Sequence, residues 1–434
     1  MTYMLLIIGA IILAIFLGEK FDVNAGIVGV VFAYILGSFM IGLSPDEIFA
    51  LWPVELFMMI FGVSFFFNFA NENGTLEIIG HHLIYAFRNH LFWLPFGFFF
   101  AAALISGLGG SIWGSVPIVG FLALNIAKEN NLDTRIIAIA VIEGALAGGI
   151  FPFGPLGAIV QGLMASTGFA DMAQEISWQL FIVSAIYPIL LLLFLMFRDR
   201  KNDAYKQVEL KAPEALNPKQ KQTLTLMTIF IGIMLIFPII DNFTGGAIPF
   251  IASISDSLNL GLMGIVFGVI AYMFELADGQ KVLNRTPWSV IWMTCGISLL
   301  IGVGVQVGIT ESLAALISYV PWPIIPVTIA LLCGCMSIFS STIGVIAPLF
   351  FTTLPALYAT TGWSPAIMAV CIIIGGFAAT VTPFSDGGSL LLASSGYLGK
   401  DQKDLYNTLL FRVTPFTVGS AAITALTLSI IHSI

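Results

Sequence analysis

The sequence predicts an all-α polytopic membrane protein built as two inverted repeats of five spanning helices, each repeat with a re-entrant hairpin and one broken helix. Three observations carry this reading. Apolar runs of lipid-spanning length recur from end to end, two matched pairs of Gly/Ser/Thr/Pro breaks lie inside such runs, and the basic residues segregate to one side of the implied bilayer. Of the 434 residues, 58% are hydrophobic and only 9% charged. A soluble chain carries about 25% charged residues, so a globular cytosolic enzyme is excluded. The net charge of −8 argues against nucleic acid as a partner, and no cofactor fingerprint or metal-ligand spacing occurs.

In chain order, lipid-length segments fall at 3–18, 23–42 and 52–70. The first is read as a retained helix, because no basic region or small-residue cleavage site marks a signal peptide. An amphipathic connector follows at 74–90. A hairpin over 91–127 turns near Gly107 to Ser111, and a broken helix over 135–169 is interrupted at Phe151 to Pro155. A spanning helix at 176–197 completes a first repeat, 1–197. The polar stretch 198–222 is the linker, and 223–434 is the second repeat. Its spanning segments lie at 223–241, 258–276 and 288–306, followed by a connector at 309–320. A hairpin at 323–358 turns near Ser340 to Thr342. A broken helix at 364–397 and a last helix at 406–432 close the chain.

Basic residues test this plan. With the linker in the cytoplasm, Arg198, Arg200, Lys201, Lys206, Lys211, Lys219 and Lys221 are cytoplasmic. Lys20, Arg88, Lys128, Arg135, Lys281, Arg285, Lys400, Lys403 and Arg412 then fall on the same side. The loops assigned outside, near 44–47, 171–175, 241–256 and 358–364, carry no Lys or Arg. This is the positive-inside pattern. It places the chain in a cytoplasmic (inner) membrane with both termini outside, and leaves no cationic side chain near mid-membrane. An odd number of crossings per half inverts the second half. A shift of 234 residues carries Pro53, Gly62, Ser64, Gly74 and Glu77 onto Pro287, Gly296, Ser298, Gly308 and Glu311.

Broken helices in corresponding places of two halves mark a transport site, because backbone opened at that depth persists only where it is shielded by protein or lines a cavity. Helix N-termini at a break suit a carboxylate, and freed carbonyls suit a dehydrated Na⁺. The residues assigned to substrate are Gly110, Ser111, Phe151, Pro152, Gly154, Ser341, Thr342, Thr382 and Pro383. Those assigned to the coupling ion are Gly109, Ser111, Gly149, Ser340, Thr380, Ser385 and Asp386. Glu143 is a possible proton site, or a protonated structural acid bonded across helices. Ser and Thr hydroxyls also simply let helices pack closely. Cys295, Cys333, Cys335 and Cys371 read as buried small hydrophobes. The expected activity is cation-coupled import of a small organic anion without a cofactor. A Na⁺/H⁺ antiporter and the membrane subunit of a tripartite carboxylate transporter are the alternatives.

The run Gly42-Leu43-Ser44-Pro45-Asp46-Glu47-Ile48, with Pro53, Leu56-Phe57, Gly62-Val63 and Asn73-Gly74-Thr75-Leu76-Glu77, resembles the N-terminal region of MatC-type dicarboxylate carriers. The whole plan resembles the wider ion-transporter superfamily that includes divalent-anion/sodium symporters. The resemblance implies a homodimer, an elevator-like motion, small carboxylates such as malonate or a four-carbon acid, and Na⁺ as coupling ion. Those symporters carry Ser-Asn-Thr at the hairpin tips. Here the tips read Gly109-Gly110-Ser111 and Ser340-Ser341-Thr342, which departs from that pattern.

Overall fold

The computed structural model describes residues 2–433 apart from 131, 168, 199–211, 245–246, 310–311, 313–314, 316, 318, 339–340 and 396–398. Ser340 and Glu311 therefore lie outside the described residues. The chain is helical, with no strand among the described residues. In hydrocarbon an apolar run satisfies its amides only by coiling on itself or closing a barrel.

The first half holds α1 (Thr2–Phe21), α2 (Ala25–Leu36), α3 (Pro45–Ala50), α4 (Val54–Glu72) and α5 (Thr75–Ala86). Local chemistry sets their ends. Asn24 caps α2 through the Gly26 amide, and Ser44 with Glu47 forms a capping box on α3. Gly74, at φ +74°, turns the chain from α4 into α5. α6 (Leu94–Ile105) leads through a π-helical turn, Ser106–Gly110, into α7 (Ser111–Glu129). Gly109 there has φ +100°, a backbone that favours glycine, and a methyl group on it would stand 1.9 Å from Phe67 Cβ. The chain folds back at this point. Phe99 meets Gly144 while Gly120 meets Val141, so positions ten before and eleven after Gly109 flank one turn of the same helix. In a straight helix they would lie about 32 Å apart.

That helix is α8 (Thr134–Gly149), started by Asp133, which accepts from the Arg135 amide. It is interrupted over 150–154 and resumes as α9 (Pro155–Ala165), and α10 (Ala173–Arg198) follows. α8 is buried from Ile136 to Gly149. The broken helix is thus core rather than lipid-facing wall.

The second half begins one helical turn earlier than the polar linker implies. α11 spans Pro218–Thr244 because Pro218 suits a first helical turn. α12 (Pro249–Ser257) sits in the loop assigned outside, followed by α13 (Leu260–Met273), α14 (Gly279–Asn284) and α15 (Trp288–Val305). α16 (Ile325–Ser337) bends by 120° into a π-helical turn, Thr342–Ile346. The returning limb is split at Thr352 and Thr353 into α17 (Ala347–Phe351) and α18 (Leu354–Thr361). The second broken helix is α19 (Pro365–Ala378) and α20 (Asp386–Ser394). α21 (Gly399–Thr408) continues through Leu409–Val413 into α22 (Thr414–Ser433), so the last helix starts before the expected 406. Val54–Glu72, Ala170–Arg198, Pro218–Asp241, Gly279–Val305 and Lys400–His432 are each long and apolar enough to cross a bilayer. Cys295, Cys333 and Cys371 are buried as expected, whereas Cys335 is exposed on an apolar flank of α16.

Local geometry recurs between the halves. Pro53 and Pro287 precede α4 and α15 with φ/ψ of −77°/75° and −76°/63°. Gly74 and Gly308 are both left-handed, at +74° and +77°. α4 packs on α13 with Gly62 against Gly261, and α15 packs on α2 with Gly296 against Gly26. A methyl group at Gly62 would lie 1.9 Å from the Gly261 oxygen, and one at Gly296 2.1 Å from the Gly26 oxygen. The hairpins repeat likewise. Gly148 abuts the Ala103 carbonyl and Gly375 the Ala330 carbonyl, each partner displaced by 227 residues (103 to 330, 148 to 375). Small residues at these crossings let backbones touch, which is how helices associate where hydrophobicity offers no drive.

Gly148→Val is expected to overpack the α6–α8 contact and cost about 1–3 kcal/mol, read as a lowered unfolding temperature in detergent. Gly9→Ala, at a position inside α1 with no heavy atom within 4 Å of the added methyl, does not lower that temperature, because alanine favours the helix.

Candidate functional site

Three helices begin in one place. A cavity of about 370 Å³ is lined by Gly109, Gly110 and Ser111 at the start of α7, by Pro155 and Leu156 at the start of α9, and by Asp386 at the start of α20. None of these helix starts has a side-chain cap. Their first-turn amides are left without intrahelical partners, and each helix end adds a partial positive charge. The sequence brings them together because each break ends an apolar run at similar depth, and the packing of α20 along α7 closes the arrangement. There a methyl group on Gly120 would stand 2.6 Å from Leu391 Cδ1.

The opposite wall comes from α4 and α15. Ser64, Asn68 and Asn71 present one face of α4 to the cavity, and Ser289 and Met293 do so from α15. Asn68 Nδ2 donates to the Val282 carbonyl at 3.4 Å, and Ser289 Oγ accepts from Asn24 Nδ2 at 3.0 Å. These positions were missed in the sequence, although Ser64, Asn68 and Asn71 are spaced i, i+4, i+7 within an apolar run. That period puts them on one helix face.

A second cavity, of about 570 Å³, adjoins the first. It is lined by Ser341 of the second tip, by Phe384, Ser385 and Asp386, and by the α1–α2 corner at Asp22 and Asn24. Ser289, Met293 and Asp386 line both cavities. The two hairpin tips therefore approach a common wall rather than sharing one chamber. Met293 packs on the second tip as well, 2.9 Å from a methyl group placed on Gly344. The first cavity reaches Asn71 near the end of α4 and Arg285 just before α15, and the second reaches Asp22 just past α1.

Asp386 is the group these cavities share most directly. Its carboxylate makes no hydrogen bond or ion pair among the described residues, while its carbonyl accepts from Ser389 Oγ at 3.1 Å. Ser111 is equally distinctive. It holds φ +52°, unusual for a side-chain-bearing residue and a mark of local strain, and its buried hydroxyl has no partner among the described residues.

Other expected site residues support the tips instead of lining the cavities. Phe151 points into a ring cluster with Phe153, Trp178 and Phe181. The Pro152 carbonyl is taken by Gln161 Nε2 at 2.7 Å, and Gly154 is packed against the Gly107 and Gly149 carbonyls. Thr342 Oγ1 pairs with Ser337 Oγ at 2.8 Å and lies over Gly376, as Ser106 Oγ lies over Gly149. Thr380 bonds the Gly376 carbonyl. Pro383 is buried, and Thr382 is buried with a hydroxyl that has no partner among the described residues. Glu143 is 1% exposed and lines neither cavity. Its Oε2 accepts from the Tyr187 hydroxyl on α10, and Oε1 has no partner among the described residues.

Arg285 also lines the first cavity, a cationic side chain that the sequence did not assign to the site. It rises from the α14–α15 connector, and a long flexible stem lets an interfacial charge extend along the protein wall. Its Nε donates to Glu72 Oε2, and Lys281 Nζ lies 3.7 Å from Glu72 Oε1.

Residues 1–149 match the family described as dicarboxylate carrier protein MatC N-terminus. This N-terminal third is MatC-like. The matched region ends with α8, so it contains α4 and the first tip but neither α9 nor the second half. No curated protein matches the chain. Solved structures of similar fold include two transport proteins. The Alcanivorax borkumensis YdaH transporter is 16% identical with a TM-score of 0.58, over 92% of this chain and 88% of that one. MtrF of Neisseria gonorrhoeae, described within a class of antimetabolite efflux pumps, is 13% identical with a TM-score of 0.53, over 91% of this chain and 83% of that one. At these identities the likeness is one of fold.

In a background with the four natural cysteines replaced, Asn71→Cys and Ser289→Cys are expected to react with a membrane-impermeant thiol reagent from one side of the membrane only. Ala158→Cys, fully buried in α9, stays unlabelled.

Proposed function

We propose that the protein is a secondary active transporter that imports a small organic anion, a malonate- or four-carbon-like di- or monocarboxylate, coupled to Na⁺ or H⁺. The observation that carries this is the convergence of three uncapped helix N-termini on a cavity that also holds the carboxylate of Asp386, which has no partner among the described residues. The MatC-like N-terminal third and the transporter fold support a carrier rather than an enzyme.

A carboxylate takes its hydrogen bonds from tip amides, from Ser111 and from the Asn68 and Asn71 amides. Asp386 repels that anion unless a Na⁺ or a proton neutralises it, and this makes anion and cation binding mutually favourable. The Ser385 hydroxyl, which lines the second cavity beside Asp386, adds a further oxygen toward the cation. Two inverted repeats, supported by the recurring contacts of the two halves, supply a second such break. In an elevator cycle the hairpins and broken helices slide along α4 and α15, with the cavities open to the cytoplasm in the present state. A homodimer in the inner membrane, with both termini outside, completes this reading.

Uptake into liposomes containing the chain alone tests it. A four-carbon dicarboxylate is expected to accumulate with a Na⁺ or proton gradient, and Asp386→Asn to lose the cation dependence and at least tenfold of the rate. Substrate-independent exchange of Na⁺ for H⁺ would instead identify an antiporter, and a requirement for a soluble binding protein would identify a tripartite membrane subunit.

A further inference from the structure

Resting on the carboxylate reading above, we propose that Arg285 is the residue that selects a dicarboxylate over a monocarboxylate. Among the described residues lining the first cavity it is the one cation. The helix N-termini hold one carboxylate through partial charges and amides, and a second carboxylate on the same molecule needs its own partner. Along α4 the lining runs from Ile60 to Asn71, eleven residues or about 16 Å of wall, which is longer than a single carboxylate requires. Arg285 stands at the Asn71 end, bonded to Glu72 one residue further on. The first turn of α7 faces the same level, with a methyl group on Gly114 lying 3.8 Å from Asn71 Nδ2.

The charges at this rim are unbalanced in the way such selection needs. Glu72 has a side chain only 14% exposed and carries one negative charge between two cations, Arg285 and Lys281. The cluster is left with one net positive charge facing an anion cavity. Arg285 commits its Nε to Glu72. A guanidinium has five donors in a planar fork, so its terminal amino groups remain able to grip a carboxylate in two-pronged fashion. Lys281 holds Glu72 when Arg285 turns toward substrate.

The test is binding of succinate and of butyrate, a dianion and a monoanion of equal carbon number, to the purified full chain with Na⁺, by calorimetry or thermal shift. Arg285→Gln is expected to weaken succinate at least tenfold more than butyrate. Arg285→Lys, which keeps the charge without the fork, is expected to recover part of the preference. Glu72→Gln, which leaves the cations unopposed, is expected to bind succinate no more weakly than wild type. Equal losses of succinate and butyrate in Arg285→Gln, with succinate bound by the wild type, overturn the selectivity role alone. A wild-type protein that binds neither acid overturns the carboxylate reading and this role with it.

Discussion

Backbone that leaves the helix inside a bilayer must be shielded by protein, and this requirement organises the molecule. Freed carbonyls at the two breaks find partners from neighbouring helices: Gln161 on α9 serves the Pro152 carbonyl, and Thr417 on α22 serves that of Ala378 at 2.6 Å. At the second tip, Ser337 and Thr342 satisfy each other. The starts of α7, α9 and α20, which have no side-chain caps, line the first cavity, and within the first turn of α20 the Gly388 amide donates to the Thr380 carbonyl. An unsatisfied amide in hydrocarbon costs several kcal/mol, so a first-turn donor left over there is a standing demand for an anion or water.

Close helix contact holds these openings in place. Where α4 meets α13 and α15 meets α2, backbones touch through glycine, and the same is true of α6 on α8 and α16 on α19. Such seams maximise dispersion contacts and leave no slack for rotation within each pair. At the boundary with the tips, α4 turns Ser64, Asn68 and Asn71 and α15 turns Ser289 and Met293 toward the cavities, beside close contacts of Phe67 with Gly109 and of Leu56 with Gly162.

The electrostatics divide along the same boundary. Partial charges from the helix ends and the carboxylate of Asp386 belong to the hairpins and broken helices. The full positive charges of Arg285 and Lys281, tied to Glu72, belong to the connector into α15. On the proposed reading, an anion seated between them would be held by both groups of helices, and a cation at Asp386 by one.

Much of this was legible in the chain because it is periodic or local. Segment lengths, the Gly-Pro interruptions at 150–155 and 380–388, and the equivalence of Pro53 with Pro287 and Gly74 with Gly308 follow from spanning length and backbone preference alone. The likeness of the first third to MatC carriers rests on such local runs. What the order of residues did not disclose is which side of each opened segment faces the cavity. Phe151, Pro152 and Gly154 share their break with Pro155, yet a ring cluster and the Gln161 bond turn the first three inward. Asn68, Asn71 and Ser289 join the site from intact helices because α4 and α15 cross the tips, and Arg285 joins because a connector far along the chain folds over that crossing. Sequence alone determined where the helix must open; only tertiary packing decided what the opening faces, because direction around a helix acquires meaning once a neighbour is there to be faced.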